Sequence, residues 1–317
     1  MDVGLVVEGQ DGLTWSSWKR ILKKVDRLGF ASLFRSDHFF VGEQRDSLEA
    51  YTSFVLAALT TSHVRFGPLV TPVMFRPPVE VGRMSAHIDD LSGGRFVLGL
   101  GIGWYRDEHD AYGVPFPPVG ERFDRLEEAV TICRALWSDG PAYVAGHHYS
   151  LEGADCRPKP VRGTVPVLIG GVGERRALRI VARHADEWCS ECISVEDYAR
   201  KVEVLERHCA AVDRDPRSIR RSMIVTGDVV PSARRVVRGA VKQTLNATGV
   251  RRVPTPAFNI RARAGGLVVG GRDQILETLG DYAELGLEEA IFKAPSLDSD
   301  DFADYLAAEV IAPAGRL

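Results

Sequence analysis

The residues best suited to chemistry are Asp37 and His38, which end the run Phe34-Arg35-Ser36-Asp37-His38. An imidazole exchanges a proton near neutral pH, and a carboxylate beside it can orient the ring. Read alone, His38 is equally a loop cap or a core residue. A second feature lies between Pro166 and Trp188, P-V-L-I-G-G-V-G-E-R-R-A-L-R-I-V-A-R-H-A-D-E-W. There a short apolar strand, Val167 to Ile169, enters a turn of Gly170, Gly171 and Gly173. A helix with the apolar face Ala177, Leu178, Val181 and Ala185 is expected to begin at once. Glycines at such a junction permit a tight turn and leave amide N–H groups uncovered at a helix N-terminus, an anion site. A cofactor phosphate is the natural occupant, so the segment favours an enzyme over a scaffold.

Other polar groups are read with the structural explanation beside the functional one. Glu8 ends the first strand and is either a substrate-pocket group or a solvated carboxylate. His109, within R-D-E-H-D, is expected to be solvated, and His147 and His148 to lie on the surface of a hairpin. Cys189 and Cys192 form a C-x-x-C without the second ligand pair that zinc requires, and after a strand rather than at a helix start. A structural role is expected for them, with no metal. The third strand, R-F-G-P-L-V-T-P-V (65–73), carries Gly67, Pro68 and Pro72. Proline cannot donate to a ladder, which calls for a bulge; that bulge is either a barrel corner or a support for a flat ligand. The fourth, G-L-G-I-G-W, lacks the last glycine of a dinucleotide fingerprint, and its small residues suit either a ring lying close to the backbone or a crowded interior.

These segments need a scaffold that brings strand ends together. Strand and helix patterns alternate along all 317 residues. Strands are expected at 3–7, 32–36, 65–73, 96–101, 167–169, 187–192, 222–230 and 290–294. Helices follow at 18–28, 48–61, 79–91, 121–137, 195–212, 233–245, 273–285 and 300–311. Eight strands, each followed by a helix, make an α/β fold, a (β/α)8 TIM barrel with insertions, whose chemistry sits at the C-terminal strand ends. No linker interrupts the pattern, so residues 1–317 are taken as one domain, with 246–266 an insertion or lid loop.

The net charge of -3 argues against a nucleic-acid or membrane-surface partner. No stretch approaches the ~18–20 apolar residues of a membrane span. The acidic N-terminus reads as a strand rather than a signal peptide, and five cysteines without an export signal suggest reduced thiols in the cytoplasm.

Five pieces in order, G-F-A-S-L-F-R-S-D-H (29–38), 65–73, D-D-L-S-G-G-R-F-V-L-G-L-G-I-G-W (89–104), Y-G-V-P-F-P (112–117) and 166–188, resemble the bacterial luciferase-like monooxygenase family. Within it they resemble the coenzyme F420-dependent oxidoreductases. The resemblance implies a deazaflavin cofactor, F420, with FMN the alternative, a small-molecule substrate and a homodimer. It implies that Asp37 and His38 stand by the ring, with His38 catalytic. A non-proline cis peptide would back the ring at Pro68–Leu69, with Thr71 beside it. Gly170, Gly171, Gly173, Glu174 and Arg175 would hold the phosphate, with Ser190 a second contact and Gly103 and Asp107 also at the cofactor. The sugar-phosphate dehydrogenases of the family place a Glu after the strand-four glycines. Here Trp104 stands in its place, with Asp107 three residues on, which suggests an apolar or aromatic-lined pocket. A reduced-FMN monooxygenase on the same scaffold is the runner-up, and a non-catalytic flavin-binding protein the third reading.

Overall fold

The barrel strands are short and apolar because helices or barrel interior cover both faces. The computed structural model describes residues 1–226, 272–294, 296–298 and 300–317. The strands are β1 (Asp2–Val7), β2 (Ser32–Arg35), β3 (Arg65–Pro68), β4 (Thr71–Pro72) and β5 (Leu98–Gly101). After an antiparallel hairpin of β6 (Ala142–Ala145) and β7 (Ser150–Ala154) come β8 (Val167–Gly170), β9 (Glu187–Ser190), β10 (Arg220–Val225) and β11 (Glu289–Lys293). All pairings in the main sheet are parallel, in the order β3-β2-β1-β11-β10-β9-β8-β5-β4. The hairpin falls where the sequence places one.

The third barrel strand is broken, as its prolines require. Its lower half, β3, pairs with β2, and its upper half, β4, pairs with β5. The ring closes where the Phe66 amide donates to Arg95 O (3.1 Å) and the Val97 amide to Phe66 O (2.9 Å). The break carries a cis peptide at Leu69–Val70, one bond later than the Pro68–Leu69 expected. Pro68 itself stays in the ladder, in register with Arg35.

Glycine makes this closure possible. A Cβ on Gly67 would press on the Val97 carbonyl, and one on Gly99 on the Pro68 carbonyl. Gly99→Ala is therefore expected to cost about 2–3 kcal/mol through overpacking against rigid backbone. Urea unfolding measures this, and an unchanged midpoint would show that β3 can draw away.

Helices α1 (Trp15–Leu28), α2 (Ala50–Thr60), α3 (Pro78–Ser92), α4 (Arg106–Tyr112), α5 (Val119–Trp137), α6 (Ala177–His184), α7 (Val195–Ala210), α8 (Arg272–Glu284) and α9 (Asp300–Leu306) surround the barrel. Helix α1 shows the local logic. Thr14 and Ser17 cap its N-terminus reciprocally, Gly29 at φ +78° ends it, and Trp18, Ile21, Leu22 and Val25 are its buried stripe. Helix α6 starts later than expected, because a turn over 174–176 separates it from Gly173. The 233–245 helix and the 246–266 lid expected from sequence lie outside the described residues.

Inside the barrel, Val6, Phe34, Leu69, Val97, Leu168, Cys189 and Ile291 pack on one another. Below them, Arg65 and Arg220 pair with the buried Glu187 and Glu289. A Cβ on Gly4 would collide with Ser32 and Glu289, so that glycine gives the charges room. Packed side chains and paired charges fill the lower end, leaving the C-terminal strand ends as the mouth.

Candidate active site

His38 follows the last residue of β2 by three positions and is brought to the mouth by the strand's own direction. Its Nδ1 lies 2.7 Å from Oε1 of Glu108, whose other oxygen accepts the Phe39 amide at 2.9 Å. Glu108 is 1% exposed and His38 14%. A carboxylate offers only acceptors, so Nδ1 carries the hydrogen and Nε2 is the nitrogen left for proton exchange. An arrangement in which a buried acid fixes the tautomer and orientation of an imidazole suits general acid–base work.

The sequence points to Asp107 at this position, and the structure brings in Glu108 instead. On α4 successive residues point about 100° apart, so Asp107 is exposed while Glu108 turns under the His38 loop. The signal was helical spacing: 105, 108 and 112 fall on one face. His109 is likewise fully buried rather than solvated. Burial holds its pKa below the ordinary imidazole value, despite a bond between Nδ1 and Pro115 O at 3.1 Å.

Asp37 sits beside His38 but faces inward, 3% exposed. One oxygen accepts Thr71 Oγ1 at 2.7 Å and Arg76 at 2.6 Å, and the other accepts Arg76 at 3.2 Å. Because Thr71 donates to Asp37, the Tyr51 hydroxyl 3.2 Å away must donate to Thr71. Burial alone would lower the Arg76 pKa, but Asp37 and Glu49 outweigh it and raise it. Behind them Arg35 is fully buried, bonded to Ser36 O and Ser53 Oγ. Burial brings its pKa down to about 10, against the pull of Asp37. Asp37 and Thr71 thus lock the β2 end to β4, and Asp37 has both oxygens engaged within the protein.

The mouth floor is Val70 with Ile224, both partly exposed above the barrel core. Val70 fits because Gly101 and Gly170 flank it; a Cβ on Gly170 would come within 3.3 Å of its Cγ1. Around the rim, the Gly171 amide donates to Cys189 O (3.1 Å), and the Gly171 carbonyl accepts Trp188 Nε1 (2.8 Å). The amides of Val172, Gly173, Glu174 and Arg175 find no acceptor among the described residues. Nearby, the Ser190 hydroxyl is buried without a partner among the described residues, one residue past the Gly170–Cys189 rung. Uncovered amides and an orphaned hydroxyl at the β8 and β9 ends form a donor set that fits a phosphate. The Glu174 side chain points away, bonded to Lys201 (2.7 Å) and Arg200 (3.2 Å) of α7, and Arg175 is exposed. Of the C-x-x-C pair, Cys189 is buried in the barrel core, where burial pushes its thiol up to about 12.

Glu8 reaches the rim but is engaged by Lys293 (2.7 Å) and Gln10 (2.8 Å). Burial raises its pKa, yet Lys293 and the hydrogen bonds bring it below the usual carboxylate value. Gly103, at φ +72°, turns the chain after β5, and Arg122 holds its carbonyl and that of Ile102. Trp104 follows and meets His38 edge to face at 5.6 Å.

The sequence model for luciferase-like monooxygenases matches residues 4–289. Among curated relatives, an F420-dependent glucose-6-phosphate dehydrogenase of Intrasporangium calvum is 28% identical over 91% of each chain. A pyrimidine monooxygenase of Agrobacterium fabrum is 31% identical over 57% of this chain and 49% of its own. Among solved structures, an F420-dependent secondary alcohol dehydrogenase, in complex with an F420-acetone adduct, superimposes with a TM-score of 0.83. It covers 98% of both chains at 19% identity, a likeness of fold. With the family model spanning most of the chain, this protein belongs to the luciferase-like monooxygenase family and is an oxidoreductase.

Proposed function

We propose that this chain is an F420-dependent oxidoreductase moving a hydride between the deazaflavin and a small-molecule substrate, with His38 exchanging the accompanying proton. The observation that carries this reading is the His38–Glu108 pair, which leaves Nε2 for proton exchange just past the C-terminal end of β2. A bound deazaflavin would supply the hydride acceptor or donor. The amides of 172–175 and Ser190 would hold its phosphate, and Val70, Gly101 and Gly170 would give its ring a flat seat. In the oxidising direction Nε2 takes the proton from a substrate hydroxyl; in the reducing direction it returns one. Glu108 keeps the ring in place and offsets the positive charge of the protonated imidazole. Asp37 and Thr71 brace the strand ends that form the seat. A homodimer and a cytoplasmic location, both carried over from the sequence reading, complete the proposal.

The same seat admits FMN, and the pyrimidine monooxygenase relative gives that reading its weight. Titrating the protein with F420 and with FMN, each followed by quenching of cofactor fluorescence, separates them. F420 is expected to bind at least about tenfold more tightly, a difference of roughly 1.4 kcal/mol. Preference for FMN, with oxygen consumption on reduction, would move the chain to the monooxygenases. Binding of neither would overturn both.

A further inference from the structure

We propose that Trp104 is a specificity-determining residue, and that the substrate is an alcohol or ketone bearing a flat apolar group next to the reacting carbon. This rests on the oxidoreductase reading above. Trp104 is 66% exposed, the most open of the five tryptophans: Trp15 is 44% exposed, and Trp18, Trp137 and Trp188 are buried. Its placement is fixed rather than casual. Gly103 and Ile102 are held by Arg122 just before it, and its ring lies 5.2 Å from that of Tyr105. Tyr105 in turn meets Phe40 edge on at 5.9 Å and accepts the Gly42 amide at its hydroxyl. The His38 loop and the end of β5 are thereby joined through rings.

Trp104 meets the His38 imidazole at an interplanar angle of 77°. The neighbour of the proton-exchanging group is therefore a largely exposed indole. Exposed aromatic surface at such a place gains free energy when a second flat apolar group covers it.

The step then balances simply. A bound oxidised F420 would supply the acceptor for the alcohol's C–H hydride, His38 Nε2 takes the O–H proton, and the π bond forms between the alcohol carbon and its oxygen.

The test uses F420-loaded protein with 1-phenylethanol and with glucose 6-phosphate, alongside Trp104→Ala and Trp104→Phe. Acetophenone binding is measured in parallel by ligand-observed NMR, which needs no turnover. Trp104→Ala is expected to raise the KM for 1-phenylethanol and the acetophenone Kd about tenfold, with kcat falling less than about threefold. Trp104→Phe restores both constants to within about threefold, since a ring is kept. Oxidation of glucose 6-phosphate with the higher kcat/KM, or acetophenone binding indifferent to Trp104→Ala, overturns the proposal. If acetophenone binds and responds to Trp104→Ala while F420 does not bind, the aromatic wall stands and the F420 reading falls.

Discussion

Replacing His38 by alanine is expected to lower kcat about 10²–10⁴-fold, the worth of a positioned general acid or base. Cofactor affinity should change little, because the donor set for the phosphate lies at the β8 and β9 ends and the Val70 floor is untouched. Steady-state rates and a fluorescence titration on the same variant check both halves. Turnover at the native rate would remove the role given to His38, and a parallel loss of cofactor binding would recast it as part of the ring seat. Glu108→Gln belongs to the same experiment. The amide keeps the volume but withdraws the charge that stabilises protonated imidazole, so kcat should fall in the same direction and by less. A value equal to the native one would leave Glu108 with a packing role only.

The second large effect concerns stability. In Arg76→Met, Asp37, 3% exposed in the native protein, would keep only the hydrogen bond from Thr71 and the attraction of the buried Arg35 behind it. Removing one partner of a buried ion pair leaves an uncompensated charge, at a cost of about 3–5 kcal/mol. The native Arg76 side chain is 13% exposed, so solvent relieves little of this. Unfolding in urea, followed by far-ultraviolet circular dichroism, reads the loss. Arg76→Lys should recover part of it, since an ammonium supplies charge without the planar fork that spans both Asp37 oxygens and Glu49. A midpoint unchanged in Arg76→Met would show that Asp37 finds water or a proton at no cost. A proton would also loosen Thr71, and with it the upper half of the broken strand.

Much of the fold was legible because its signals are local. The stripe of Trp18, Ile21, Leu22 and Val25 fixes the buried face of α1, and Gly29 fixes its end. Apolar runs of four to six residues bounded by turn signals mark the strands. Proline at 68 and 72 calls for a bulge in the third, and the structure goes further, splitting it into β3 and β4. The cis bond lay one residue from its expected place, since proline position constrains the region of a break but not the peptide that turns.

The candidate site was legible in part. His38 at a strand end and the glycines at 170–173 follow from alternation of strands and helices in the chain. The sequence points to Asp107 rather than Glu108 and to a solvated His109, for one reason. A short charged helix declares no inward face until something packs on it, and a shift of one residue turns a side chain through about 100°. Glu174 was drawn towards the phosphate by adjacency, yet Lys201 and Arg200, remote in sequence, take its carboxylate.

Local patterns alone establish the barrel, an irregular third strand, and the strand ends where chemistry would gather, because periodicity, proline and glycine act over a few residues. Folding is what pairs His38 with Glu108, 70 positions away, and binds Asp37 to Arg76 rather than leaving it open to a ligand. It alone set Trp104 against His38. Those outcomes depend on which side chains meet in the folded chain, and burial and charge pairing settle that across distances no local pattern records.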